Sequence, residues 1–164
     1  MQGSDGNLYG ATSFGGDVKC SCGTLFKLTP QGRLTTLHRF QPSEGIDPDA
    51  LSQATNGTFY GVAANGGNSS CNQGCGTVFS LDLGLKPFAS FVRATGKIGQ
   101  TIGILGQAFT GTTEIALNGT PMTFTIVSDT FIRATVPTGA TNGYVTVTTP
   151  SGTLASNIPF YVIP

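Results

Sequence analysis

The chain has 164 residues, a formal net charge of zero and 10% charged residues, against roughly 25% in ordinary globular domains. That balance excludes a polyelectrolyte partner: the cations of the C-terminal half, Arg93, Lys97 and Arg133, are too few to neutralise a nucleic-acid backbone. No apolar run reaches the roughly 18 residues of a membrane-spanning helix, and the Gly-rich polar start does not read as a signal peptide.

From the N-terminus, Gln2 to Leu28 (QGSDGNLYGATSFGGDVKCSCGTLFKL) returns little changed as Gln53 to Leu81 (QATNGTFYGVAANGGNSSCNQGCGTVFSL). Tyr9 falls on Tyr60, Gly10 on Gly61 and Cys20 on Cys71 at a shift of 51 residues. At Cys22/Cys75 and Phe26/Phe79 the shift is 53, so the added residues lie between the cysteines. A period of about 50 residues with three or four short strands is the spacing of a propeller blade or related β-array. Ser4-Asp5-Gly6 is a turn, because Asp and Gly tolerate the angles of a tight reversal, and it opens the aromatic run Gly6 to Ala11. Thr24 to Leu28 and Arg33 to Phe40 read as strands. Between Gln41 and Asp49 the stretch is broken by Pro42, Gly45 and Pro48 and reads as a loop. Strands resume at Thr58 to Tyr60 and Thr77 to Leu81. The segment from Gly32 to Ser52 has no counterpart before Gln2, so the chain reads as the end of a longer array, with further repeats and any export signal upstream of Met1.

Leu83 to Pro87 reads as a joint. It divides the chain into a β-repeat fragment over 1–87, about one and a half blades, and a second module over 88–164. In the second module, short alternating segments follow at regular spacing: Phe88 to Val92, Gln100 to Leu105, and Glu114 to Leu117 joined to Pro121–Val127 across Asn118-Gly119, a strong hairpin signal. Thr130 to Val136 aligns Ile132, Ala134 and Val136, and Tyr144 to Thr148 aligns Val145 and Val147. Thr153 to Ile163 aligns Ile158, Phe160 and Val162 in the same way. Seven short strands with turns between them describe an antiparallel sandwich, and with neither Cys nor Trp its core rests on aliphatic and Phe side chains.

These motifs carry a resemblance. ATGKIGQTIGILGQAF (Ala94 to Phe109), IALNGTPMTF, IRATVPTGATNGYVTVTTPSG and SNIPFYV resemble the IPT/TIG domain over essentially all of 88–164, which implies an immunoglobulin-like sandwich. SDGNLYGATSFGG and GTLFKLTPQGRLTTLHRF, with the second copy, resemble the GloVer-type bacterial tandem repeat over about 2–82, which implies an exported, repetitive, surface-anchored parent. Neither resemblance brings a catalytic motif.

Four cysteines, Cys20, Cys22, Cys71 and Cys75, sit at matching points of the repeat. Four thiolates can make a zinc tetrahedron, but one residue between the first pair is tight for chelation. The even count favours disulfides, either within each copy or between copies. His38 is the sole histidine, and with Ser43, Asp47 and Asp49 it invites a nucleophile–base–orienter reading. No nucleophile elbow accompanies it, and its strand-like run places it on a sheet face. Asp47-Pro-Asp49 reads as solvated loop acids, not a glycosidase pair, and those acids or Asp5 with Asn7 fall short of a calcium loop. Tyr9, Phe14, Phe40, Phe59 and Tyr60 supply aromatic faces that could stack on sugar rings, Tyr9, Phe59 and Tyr60 foremost, while most of the five are expected in the blade core. Asn56-Gly-Thr58 and Asn68-Ser-Ser70 match the glycosylation acceptor pattern, meaningful only in eukaryotic secretion.

The sequence therefore predicts an all-β chain, propeller-like repeat plus Ig-like sandwich. It is expected to be no enzyme, to need no cofactor or metal, and to work as an extracellular or cell-surface interaction or structural segment. Its expected partners are other proteins, surface polysaccharide and upstream repeats, with neither nucleic acid nor membrane insertion. A carbohydrate-binding accessory module is the alternative.

Overall fold

The computed structural model describes residues 1–164, which form strands and no helix. They divide into two compact units, Met1–Leu85 and Lys86–Pro164.

In the first unit, β1 (Leu8–Thr12), β2 (Thr24–Leu28) and β3 (Leu34–Arg39) make one antiparallel sheet in that order. A second sheet holds β4 (Ile46–Gln53), β5 (Phe59–Asn65) and β6 (Thr77–Leu81). Equivalent sequence gives equivalent register: Leu8↔Leu28 through Thr12↔Thr24 in one sheet matches Phe59↔Leu81 through Ala63↔Thr77 in the other. The turns also agree. Gly3 N–H donates to Asn7 O at 2.8 Å and Ala54 N–H to Thr58 O at 2.9 Å, while the Asp5 and Asn56 side chains each accept from the amide two residues on. Gly10 and Gly61 are required by close approach, because a Cβ at either position would strike the ring of Phe26 or Phe79 on the neighbouring strand. The sheets differ in what they add to this shared hairpin: β3 follows it in the first, and β4 precedes it in the second. A Gln2–Leu8 bridge is the first sheet's counterpart of the Gln53↔Phe59 pair.

Asp47-Pro48-Asp49 lie inside β4 and not in the expected loop. Proline is tolerated there because β4 is an edge strand, bonded on one side only, and a bulge between Asp49 and Leu51 takes up the irregularity. Asp47 adopts a positive φ and turns its N–H toward Cys22 O, at 3.2 Å, in the other sheet. Cys22, Leu25 and Phe40 form the buried centre of the unit, with Ile46, Phe79 and Leu81 packed on them. The face of the first sheet bearing Tyr9 and Leu25 thus covers the face of the second bearing Phe59 and Phe79. Tyr9 and Phe59 lie 4.4 Å apart between ring centroids, and Phe40 meets Phe79 edge-on at 5.0 Å.

The second unit contains β7 (Ser90–Phe91), β8 (Thr95–Lys97), β9 (Thr101–Leu105), β10 (Glu114–Leu117) and β11 (Thr120–Pro121). It continues with β12 (Phe124–Ser128), β13 (Phe131–Thr135), β14 (Val145–Thr149), β15 (Gly152–Ala155) and β16 (Tyr161–Ile163). Two four-stranded sheets, ordered β11-β10-β14-β15 and β12-β13-β9-β7, supply the core, and β16 pairs parallel with β8. Ile102, Ile104, Ile132 and Ala134 come from one sheet; Ile115, Leu117, Val145 and Val147 come from the other. Each such aliphatic side chain contributes on the order of 1.5–3 kcal/mol by burial.

Two expected strands are each split. Asn118-Gly119, both at positive φ, reverse the chain as the sequence predicts, but β11 lasts two residues. Met122 N–H still reaches Ile115 O, whereas Thr123 O accepts from Thr135 N–H, so the chain changes sheets between them. The run from Thr153 to Ile163 breaks at Ser156. Its buried hydroxyl accepts from Val145 N–H at 3.1 Å and donates to Ile158 O at 2.8 Å. That local bond turns Ile158 out to solvent and sends Phe160 fully into the core.

Candidate functional site

The first unit encloses a groove of about 270 Å³ lined by Leu25, His38, Phe40, Glu44, Phe79 and Leu81, with Ser80 on it as well. Strand β3 presents His38, and the Gln41–Glu44 turn, closed by Glu44 N–H to Gln41 O at 2.9 Å, swings a carboxylate back to it. His38 Nε2 lies 3.0 Å from Glu44 Oε2, and the same oxygen accepts from Gln41 N–H at 3.0 Å. The imidazole stands edge-on to Phe40 at 5.0 Å. Thus His38 sits on a sheet, as the sequence reading expects, but its acidic partner is Glu44 and not Asp47 or Asp49, which lie in β4. The missed signal was the turn-forming Gln-Pro-Ser-Glu that follows the strand. Both side chains are exposed, and such a pair contributes about 0–1 kcal/mol.

Equivalent tyrosines meet opposite fates. Tyr9 is 2% exposed and Phe59 0%, each covering the other, whereas Tyr60 is 42% exposed on the outer face of β5. Of the other two aromatics, Phe40 is buried and Phe14 is exposed. The Tyr9 hydroxyl donates to Asp5 Oδ2 at 2.9 Å, and Asn7 bonds the same carboxylate. Burial, then the bond to Asp5, push the Tyr9 hydroxyl up to about 12. Burial alone would raise Asp5, but the bonds from Asn7 and Tyr9, with Lys27 nearby, outweigh it and hold the carboxyl below its ordinary range. The Tyr60 hydroxyl instead accepts from Asn56 Nδ2 at 3.4 Å.

Cys20 pairs with Cys22 and Cys71 with Cys75, so each copy closes its own loop and neither the inter-copy staple nor the four-thiolate tetrahedron is formed. Cys22 is buried in the sheet-to-sheet core. The Cys71–Cys75 loop is laced to its sheet through Gly66 N–H to Gln73 O at 2.8 Å and Cys75 N–H to Asn68 O at 3.1 Å. One side-chain oxygen each of Asp5, Asn56 and Asn68 accepts from a turn amide.

The two facing sheets and the order of residues within them can be set beside known proteins. The family model of the IPT/TIG domain matches residues 88–162. The C-terminal sandwich is an IPT/TIG domain. No curated protein matches the sequence. Among solved structures, the chain is similar to SGBP-B from a complex xyloglucan utilization locus in Bacteroides uniformis, at 12% identity and a TM-score of 0.37, covering 93% of this chain and 40% of that one. It is also similar to a fungal alcohol oxidase of the AA5 family in complex with copper, at 13% identity and a TM-score of 0.33, covering 86% of this chain and 36% of that one. The chain therefore spans less than half the length of either. In the IPT/TIG domain a shallow site lined by Thr101, Thr123, Phe124, Thr125, Arg133 and Thr135 lies on the β12-β13-β9 sheet. Its polar side chains are hydroxyls and one guanidinium, suited to hydrogen bonding at a surface.

Proposed function

We propose that the chain is a non-catalytic extracellular or cell-surface segment that presents binding surfaces, a GloVer-type repeat region ended by an IPT/TIG domain, with the boundary at 87/88. One observation carries this reading: an IPT/TIG domain is joined in the same chain to a sheet unit that commits all four cysteines to local disulfides. Disulfides persist in oxidising compartments, which supports an exported protein. The His38–Glu44 pair fits the reading as a solvated surface pair.

The test is twofold. Incubated with glycoside, ester and peptide substrates, the purified oxidised chain is expected to give the same background rate as its His38→Ala variant. A turnover abolished by His38→Ala would overturn the proposal. Thiol trapping in the producing cells is expected to find all four cysteines oxidised and the protein outside the cytoplasm; a cytoplasmic, fully reduced protein would equally overturn it.

A second reading, carbohydrate binding, is favoured by Tyr60 alone. Its exposed ring is flanked in register by Ser52 and Ser80, an aromatic face with hydroxyls at either side. Retention on insoluble polysaccharide, abolished by Tyr60→Ala, is the expected result of that reading. Failure to be held by any sugar polymer ends it.

A further inference from the structure

We propose that the outer face of the second sheet, centred on Tyr60, Val62 and Val78, is a docking surface for the outer face of the first sheet of another copy of this chain. The inference rests on the reading of the chain as a surface-presenting segment and names one partner for it. The template is the packing already present within the first unit. There, the Tyr9 face of the first sheet covers the Phe59 face of the second, through Tyr9 against Phe59 and through Leu25 with Phe79 and Leu81.

Because the two sheets share one register, each outer face is the counterpart of a face that is buried inside. Tyr60, Val62 and Val78 stand where Tyr9, Ala11 and Leu25 stand, and they are if anything more apolar. They are also open: Val62 is 43% and Val78 78% exposed. At the other end, Leu8, Phe26 and Leu28 stand where Phe59, Phe79 and Leu81 stand. Leu8↔Leu28↔Leu34 form one row across the three strands, with Leu8 45% and Leu34 65% exposed.

The molecule thus carries both halves of its own internal interface, one half on each end of the sheet pair. Docking a second copy continues that established interface by one step. The match is between different faces, so the association is head-to-tail and either closes into a ring or extends. It is weaker than the internal packing, because the chain after Leu81 leaves the repeat and supplies no counterpart of Phe40, the ring that wedges between the sheets.

Sedimentation velocity over a wide concentration range tests this with two surface variants, Val78→Lys and Leu34→Lys, each placing a charge on one face at an exposed site. Wild type is expected to associate with rising concentration, and each variant alone to stay monomeric. A mixture of the two is expected to form dimers and nothing larger, since each retains the half that the other has lost. Circular dichroism of each variant checks that it is folded. Three results overturn the proposal: wild type monomeric throughout, variants that associate like wild type, or a mixture that stays monomeric. Monomeric wild type whose polysaccharide retention is lost in Val78→Lys overturns it in favour of a sugar on that face. A failure here leaves the non-catalytic reading untouched, because that stands on the turnover and thiol-trapping results.

Discussion

The two units solve the same problem, a β-sheet with apolar residues to hide, in different ways. The IPT/TIG domain lays two four-stranded sheets on one another, and its inward side chains are covered from both sides. In the first unit two three-stranded sheets share one narrow seam around Cys22, Leu25 and Phe40, and the faces turned away from the seam stay open. A closed sandwich draws its stability from its own core, whereas a stacked sheet depends on what lies above and below it.

The largest effect that separates the units is core truncation. Phe160→Ala and Ile132→Ala are expected to cost about 2–5 kcal/mol each and to melt the IPT/TIG domain, with the first unit's amides still protected in hydrogen exchange. Phe40→Ala is expected to do the reverse. In limited proteolysis of the intact chain the first unit should be cut first, leaving a fragment near 88–164; early loss of that fragment would contradict the comparison.

Next in size is the pair of glycines under rings. Gly61→Ala is expected to cost about 1–3 kcal/mol, since Phe79 is held in the seam and the Ala50 carbonyl closes the other side. Gly10→Ala should cost less, because Phe26 lies on an open face and can swing aside. Equal losses in thermal melts would show that the outer face of the first sheet is as confined as the seam.

Reduction comes third. Opening Cys71–Cys75 is expected to cost roughly 2 kcal/mol by loop closure, all of it in the first unit, because the IPT/TIG domain has no cysteine. A denaturant midpoint that shifts in the IPT/TIG domain on adding reductant would break the comparison.

The smallest effect is the pH response. The Tyr9 hydroxyl, pushed up to about 12, stabilises the folded unit fully below its ordinary value of 10.0, and that contribution is lost as pH rises from there through about 12. Asp5, held below 3.8, contributes above that value and loses the contribution as pH falls beneath it. Tyr9→Phe should flatten the alkaline limb of the first unit alone. An unchanged alkaline limb would remove the Tyr9 hydroxyl from the account.

Much of this was legible in the residues. Alternation in Ile132, Ala134 and Val136 marked a strand with one buried face, and Asn118-Gly119 marked a reversal, because both signals are local. What stayed illegible was decided at a distance. Strand β4 runs through Pro48 because it lies at an edge, and Ile158 turns outward because Ser156 bonds across its own corner. Tyr9 and Tyr60 carry the same side chain in the same register, yet one is hidden and the other open. Sequence defines the face, and only the neighbour decides whether it is covered. The same limit applies to the candidate site, where His38 was evident but Glu44 was reached only through a turn.

Strand β16 lies parallel to β8, with Tyr161 beside Thr95 and Ile163 beside Lys97. Tension applied between Thr95 and Ile163 would draw the start of β8 and the finish of β16 in opposite directions along their shared axis. Their hydrogen bonds are then loaded together in shear and do not peel open singly, so rupture must break the whole clasp at once. A module fastened in this way can transmit a pull between whatever it joins and still hold its shape.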